Sequence, residues 1–99
     1  NWSKDDFSIR QFILGLNPYP GAWTLILNNG RQLNFKIFKV KLSNIKTSEK
    51  IISVQENKVY IGTSTNALEL IEIQLEGKKR MHANEFIKGN KNIDQFSIL

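Results

Sequence analysis

The apolar residues near the start of the chain recur at helical spacing. The spacing i, i+3, i+4 and i+7 predicts an amphipathic helix whose apolar face carries Ile9, Phe12, Ile13 and Leu16. Ser3 is the expected N-cap, since Asp6 follows it at capping-box spacing and places an acid at the positive end of the helix. Pro18 forbids continuation, so the helix ends just before it.

A stiff connection follows this helix. Both prolines of the chain, Pro18 and Pro20, lie in it, and each restricts its own φ angle and the conformation of the residue before it. Gly21 then permits a positive φ angle, and a strand begins at Ala22. We expect an elbow that joins helix to strand, with Trp23 as the anchor that pins the helix against the sheet.

From Ala22 onward the pattern changes to the alternation typical of strands. Five strands are predicted, and Asn29-Gly30 is a preferred type I′ hairpin turn between the first two. The alternation changes phase near Ile37-Phe38 and again after Leu70, which indicates a β-bulge in each of two long strands. Such strands favour a small, strongly curved barrel. The predicted strands are Ala22–Leu27, Gln32–Leu42, Lys50–Gln55, Lys58–Thr63 and Ala67–Leu75.

The last part of the chain predicts a short helix over Ala83–Lys88. His82 is its expected N-cap and Gly89 its expected C-cap. The polar tail that follows carries Ile93, Phe96 and Ile98, so it is expected to pack back on the barrel. The predicted fold is therefore mainly β, with a helix near each end, in a single domain over residues 1–99.

Composition narrows the functional classes. The chain of 99 residues has no cysteine, which excludes disulfides and thiolate chemistry and fits a cytoplasmic protein. Its apolar runs are far shorter than the roughly 20 residues that cross a membrane. Fourteen Lys and Arg residues against nine Asp and Glu give a net charge of +5, which favours a polyanionic partner.

The sequence contains few residues in positions suited to enzyme catalysis. His82 is the sole histidine, no acid pair stands in an apolar setting, and no glycine-rich loop or metal-ligand spacing is present. The basic residues are better organised, and the predicted nucleic-acid contacts are Lys36, Lys39, Lys41, Lys78, Lys79, Arg80 and Lys88. On pattern alone, a solvated strand face and an ordinary surface loop explain them about equally well. Trp23, Phe35, Phe38 and Tyr60 are expected in the core, so base stacking is a weak expectation.

Two separated motifs resemble one family. Residues 9–24 read IRQFILGLNPYPGAWT, and residues 73–81 read IQLEGKKRM, followed by EFIKG at 85–89. Together they resemble the helix, the Asn-Pro-aromatic-Pro-Gly elbow and the Gly-Lys-Lys segment of the methionyl-tRNA formyltransferase C-terminal domain. Asn1-Trp2-Ser3 is also similar to the entry from that family's interdomain linker.

The resemblance implies an oligonucleotide-binding-like (OB-like) barrel that is the second domain of a cytoplasmic, monomeric formyltransferase. A catalytic domain that binds 10-formyltetrahydrofolate precedes it in the family, so this domain is expected to be non-enzymatic alone and to bind no cofactor or metal. Its implied partners are that catalytic domain and the initiator Met-tRNA, held by a basic surface.

Two other functions remain open at this stage. The second hypothesis is the equivalent, mainly structural C-terminal domain of a related formyltransferase that acts on a sugar nucleotide or another amine, although such a domain has no need of net charge +5. A free-standing barrel that binds single-stranded nucleic acid is the third possibility. An independent enzyme is the least favoured class, because no reactive group is supplied.

Overall fold

The fold is a curved antiparallel sheet flanked by two helices. A computed structural model describes residues 1–16 and 21–99. The elbow predicted around Asn17, Pro18, Tyr19 and Pro20 lies outside the described residues, while Gly21 has the expected positive φ of 86°. The elements are α1 (Asp6–Leu16), β1 (Ala22–Asn28), β2 (Arg31–Leu42), β3 (Ile52–Gln55), β4 (Lys58–Ile61), β5 (Leu68–Leu75), β6 (Met81–His82), α2 (Ala83–Gly89), the 3-10 helix η1 (Ile93–Gln95) and β7 (Ser97–Ile98).

The strand order confirms the predicted barrel. Hydrogen-bonded neighbours follow the order β3-β4-β5-β2-β1-β7, and β6 pairs with β5. The 3-10 helix η1, which leads into β7, packs against β3 at the other end of the sheet. The two ends of the sheet therefore approach each other, and the sheet forms a nearly closed barrel with α1 against β2 and β1.

Two hairpin turns use residues in the left-handed region. Asn29 and Gly30 have φ angles of 52° and 80° between the paired residues Asn28 and Arg31, as the Asn-Gly signal predicts. Glu56 and Asn57 have φ angles of 51° and 64° and join β3 to β4 in the same way. Both predicted hairpins are confirmed.

The two phase changes correspond to adjacent bulges. Ile37 pairs with Ile73, and the next paired residue, Lys39, lies opposite Glu72, so the register shifts by one residue at Phe38. The following pair joins Val40 to Leu70 and skips Ile71. One extra residue on each strand bends the sheet. Because the extra residue also shifts the alternation by one position, the apolar residues on both sides of the bulge face the barrel interior.

The start of α1 differs from the prediction. The Ser8 amide donates to Asp5 Oδ1 at 2.7 Å, so Asp5 is the side chain that caps the helix. The Ser3 hydroxyl instead donates to Asn1 Oδ1 at 2.6 Å, and the prediction of Ser3 as N-cap is wrong. Asp5 offers the same type of cap two residues later, and the tight Asn1–Ser3 turn occupies the hydroxyl.

Two aromatic side chains expected to be buried are exposed. Ile9 and Ile13 are buried, but Phe12, on the edge of the same face, is 62% exposed. Trp23 is 59% exposed, so its predicted role as a buried anchor is wrong. Alternation from the buried Ala22 and Ile26 directs Trp23 outward, because neighbours on a strand point to opposite faces.

The barrel interior and the C-terminal segment follow the prediction more closely. Phe35 and Phe86 are fully buried and meet edge to face, with ring centroids 6.1 Å apart. Helix α2 begins after His82, which makes no side-chain capping bond, and its C-cap is Asn90, one residue beyond the predicted Gly89. The tail packs back as expected, since β7 pairs with β1 and Ile93 is fully buried.

Candidate nucleic-acid interface

Three of the predicted lysines lie on the outer face of β2. Lys36, Lys39 and Lys41 are exposed, while their neighbours Phe35, Ile37 and Val40 are buried. The bulge at Phe38 keeps Lys39 and Lys41 on the same face as Lys36, although two residues separate Lys36 from Lys39. The structure therefore confirms that these three lysines share the outer face of β2, where they form a stripe.

Acidic residues of β5 accompany this stripe. Lys39 lies directly opposite Glu72, and Lys41 lies opposite Glu69. Opposite charges at facing positions attract each other across a sheet, which reduces the positive potential at those two lysines. Lys36 differs, because its neighbours are Gln74 on β5 and Trp23 on β1. Two of the three lysines of the stripe on β2 therefore face an acidic residue of β5, and Lys36 does not.

The basic loop between β5 and β6 is anchored at its base. Gly77 takes a φ of 86°, and the Lys78 amide donates to the Leu75 carbonyl at 2.9 Å. Gln74 Nε2 donates to the Lys78 carbonyl at 2.9 Å. These bonds fix the loop backbone and leave Lys78 and Lys79 exposed. Two cations are thus presented to solvent from an ordered turn.

Arg80 is held differently from the two lysines before it. Its Nε and Nη2 atoms lie 2.8 and 2.6 Å from Glu72 Oε1, and its guanidinium carbon lies 4.0 Å from the centre of the Phe38 ring. The hydrogen bond from Arg80 is the main reason why the pKa of Glu72 lies below its usual range. Slight burial opposes this shift, and nearby positive charges add to it. Arg80 therefore joins the loop to the bulge.

One cation that the sequence did not single out belongs to this surface. Arg10 of α1 borders a cavity of about 550 Å³ together with Lys39 and Lys41, and the apolar floor comes from Val40, Leu42 and Ile71. Arg10 follows the buried Ile9, so it emerges beside the core face where α1 packs on β2. Arg10 joins this surface because of the way α1 packs on the barrel, and no local sequence pattern predicts that packing.

The seventh predicted residue, Lys88, stands apart from the others. It is exposed in the last turn of α2, a helix that packs chiefly against β4, β5 and β6. Its position near the helix C-terminus suits a cation, because the helix dipole is negative there. The structure brings Arg10, Lys39 and Lys41 together at one cavity, with Lys36 and the loop on neighbouring parts of the sheet, and does not join Lys88 to them.

An exposed aromatic was also missed. Trp23 projects from the outer face and is the direct cross-strand neighbour of Lys36. The expectation of a core position is therefore wrong for Trp23, while Phe35 and Tyr60 are buried as expected. The signal was the alternation of β1: if Ala22 and Ile26 face inward, Trp23 faces outward.

Two kinds of feature are missing from the part of the chain that the structure describes. There, no group of three or more His, Asp or Glu side chains is placed to hold a metal ion. In the same residues, no helix is long and apolar enough to cross a membrane.

Known proteins are similar in sequence to this chain over nearly its full length. Residues 1–91 match the family described as "Formyl transferase, C-terminal domain". A protein named methionyl-tRNA formyltransferase from Protochlamydia amoebophila is 34% identical over 99% of this chain and 32% of its own length. Its namesake from Azobacteroides pseudotrichonymphae is 40% identical over 91% of the chain and 29% of its own length.

A third relative has a similar identity and similar shares of the two chains in the match. The methionyl-tRNA formyltransferase of Syntrophomonas wolfei is 40% identical over 90% of the chain, which covers 28% of that protein. The chain thus spans about 30% of the length of these curated relatives. The match to the family extends from the first residue through α2, and the chain belongs to the formyl transferase C-terminal domain family.

Proposed function

We propose that this chain is the C-terminal domain of a methionyl-tRNA formyltransferase and that it holds the initiator Met-tRNA by charge. In this proposal a catalytic domain precedes Asn1 and transfers the formyl group from 10-formyltetrahydrofolate. The names of the relatives support the substrate class, because each of the three reported above is a methionyl-tRNA formyltransferase.

The observation that carries the proposal is the cavity bordered by Arg10, Lys39 and Lys41. Three cations from two elements around one concave surface suit a curved phosphate backbone, which needs positive charges in a row and no unique base geometry. Folded tRNA is recognised largely by its shape and its phosphates, so such a surface is sufficient for holding it.

The basic loop supplies a second group of cations. Lys78 and Lys79 are exposed on a backbone that three hydrogen bonds secure, counting the bond from the Glu76 amide to the Asn34 carbonyl at 2.9 Å. An ordered loop loses less conformational entropy on binding than a mobile one. Lys36, Lys88 and Arg80 complete the proposed contact set, with Arg80 acting mainly by holding the loop in place.

One observation favours the alternative function. Glu69 and Glu72 lie opposite Lys41 and Lys39, and a surface whose cations have facing acids is also what a purely structural domain presents. In that case the parent enzyme formylates a sugar nucleotide or another amine, and this barrel serves only to support the catalytic domain.

The two functions separate in a binding experiment with the full-length protein. The triple variant Arg10→Ala, Lys39→Ala, Lys41→Ala is expected to weaken binding of initiator tRNA at low salt by at least tenfold. Lys58→Ala is the control, because Lys58 is also exposed on a strand but lies beside a cavity bordered by Glu56 and Glu69. Equal affinity of the triple variant and the control would reject the tRNA-holding function and support the structural one.

A further inference from the structure

Two exposed aromatic side chains frame a small cavity between α1 and β1. Phe12 is 62% exposed and Trp23 is 59% exposed, and together they border a cavity of about 60 Å³. We refer to Phe12, Trp23 and this cavity as the Phe12–Trp23 patch. The apolar walls of the cavity come from Trp2, Ile9, Ile13, Ala22 and Ile37. Adjacent exposed aromatics beside an apolar depression are typical of a surface that another part of a protein covers.

The N-terminus of the chain lies at this patch. Asn1 borders the cavity between Phe12 and Trp23, and it also borders a second cavity of about 300 Å³. Phe12 is shared by both cavities, and the second is completed by Lys4, Ser8 and Ile9. A chain that arrives at Asn1 therefore enters the domain at the edge of two depressions on either side of Phe12.

Few charged residues line the two cavities of the patch. Of the described residues that line the first cavity none is charged, and Lys4 is the single cation beside the second. Arg10 of the proposed tRNA surface lies on the opposite flank of α1, because Arg10 and Phe12 are about 160° apart at 100° per residue around a helix, whereas Lys36 is the cross-strand neighbour of Trp23. An apolar stretch of polypeptide fits this surface better than nucleic acid does.

We propose that the stretch of chain directly preceding Asn1 in the full-length protein packs over the Phe12–Trp23 patch and fixes the orientation of this domain. The inference depends on the chain's membership of a family of C-terminal domains, of whose relatives it spans about 30%, and is independent of tRNA binding. A covalently attached segment reaches the patch at an effective concentration of the order of millimolar, so a modest apolar contact suffices.

Hydroxyl-radical footprinting of the full-length protein tests this directly. Phe7 is the internal control, because it is 57% exposed on the same helix but about 140° from Phe12. Phe12 and Trp23 are expected to oxidise several-fold more slowly than their exposure in this domain implies, while Phe7 reacts at the rate that its own exposure implies. Equal oxidation of Phe12 and Phe7 would overturn the proposal.

Variants identify the segment that gives the protection. In Phe12→Ser and Trp23→Ser, limited proteolysis just before Asn1 is expected to accelerate several-fold, whereas Phe7→Ser leaves the rate unchanged. These positions are exposed, so melting curves can confirm that each variant still folds. Protection that disappears on dilution would assign the patch to a second copy of the chain. Protection that arises only when tRNA is added would assign it to RNA, and either result would overturn the proposal.

Discussion

Arg80 binds Glu72 through two nitrogens, at 2.8 and 2.6 Å, and thereby ties the basic loop to the bulge in the barrel wall. The guanidinium carbon also lies 4.0 Å from the centre of the ring of Phe38, which stands at that bulge. A single arginine thus connects the loop that carries Lys78 and Lys79 to the strand that carries Lys39. This contact adds to the three hydrogen bonds that anchor the loop backbone.

Breaking that contact is expected to loosen the loop with little loss of stability. Arg80 is 52% exposed, and pairs of this kind contribute roughly 0–1 kcal/mol to the free energy of unfolding. Hydrogen exchange of Arg80→Leu should be faster at the Lys78 amide than in the unaltered protein, with a similar melting temperature. Lys79→Leu serves as the control, because Lys79 is equally part of the loop; faster exchange in both variants would show that Arg80 has no special anchoring role.

The helix cap provides a prediction that separates Asp5 from Ser3. Asp5→Ala removes the acceptor for the Ser8 amide, so the melting temperature is expected to fall by several degrees. Ser3→Ala removes a bond confined to the Asn1–Ser3 turn and should change the melting temperature much less. A larger effect at Ser3 would contradict the assignment of Asp5 as the cap. Thermal melting followed by circular dichroism measures both.

Acid should destabilise the fold through the same two carboxylates. Hydrogen bonds from Ser8 hold the pKa of Asp5 below its ordinary value of 3.8, and the bond from Arg80 holds that of Glu72 below 4.5. A lowered folded-state pKa means that the unfolded chain binds more protons, so stability is lost as pH falls from these ordinary values through the folded-state values. Denaturant titrations of Asp5→Asn and Glu72→Gln should show a shallower loss of stability across that range; slopes equal to that of the unaltered protein would contradict the expectation.

Gly62 is predicted to tolerate no side chain. A Cβ atom there would collide with the Ser48 carbonyl oxygen and crowd the Thr47 hydroxyl. The Gly62 amide also donates to the Ile51 carbonyl at 3.0 Å, so the backbone cannot move away without losing a bond. Gly62→Ala is therefore expected to lower the free energy of unfolding by about 1–3 kcal/mol or more.

The matched control for Gly62 is Gly15. It lies in α1 with no heavy atom near the position of a Cβ, so Gly15→Ala should raise stability by up to about 1 kcal/mol. Denaturant unfolding compares the two variants on the same scale. A neutral Gly62→Ala would contradict the close approach of the loop before β3 to the end of β4.

The sequence predicted the barrel because its bulges leave a local mark. A change of phase at Ile37-Phe38 and after Leu70 is readable in the alternation, and the structure places both bulges side by side. The Asn29-Gly30 turn has an equally local signal. The exposure of Phe12 could not be obtained in this way, because a residue at the edge of a helix face is apolar for reasons that depend on what covers it.

The cationic surface was predictable only in part, for a related reason. Lys36, Lys39 and Lys41 share a strand, so alternation and one bulge place them together. Arg10 joins them only because α1 packs on β2, and Glu69 and Glu72 oppose them only because of the register between β2 and β5. Contacts between elements distant in sequence decide how positive the surface is.

The salt dependence of tRNA binding tests the central claim most directly. For the full-length protein and initiator tRNA, the logarithm of the association constant is expected to fall linearly with the logarithm of the salt concentration. In the variant lacking Arg10, Lys39 and Lys41 the slope should be shallower by about 0.7–0.9 for each phosphate that the variant no longer neutralises. An unchanged slope, or binding that does not respond to salt, would contradict the account of this domain as an electrostatic holder of tRNA.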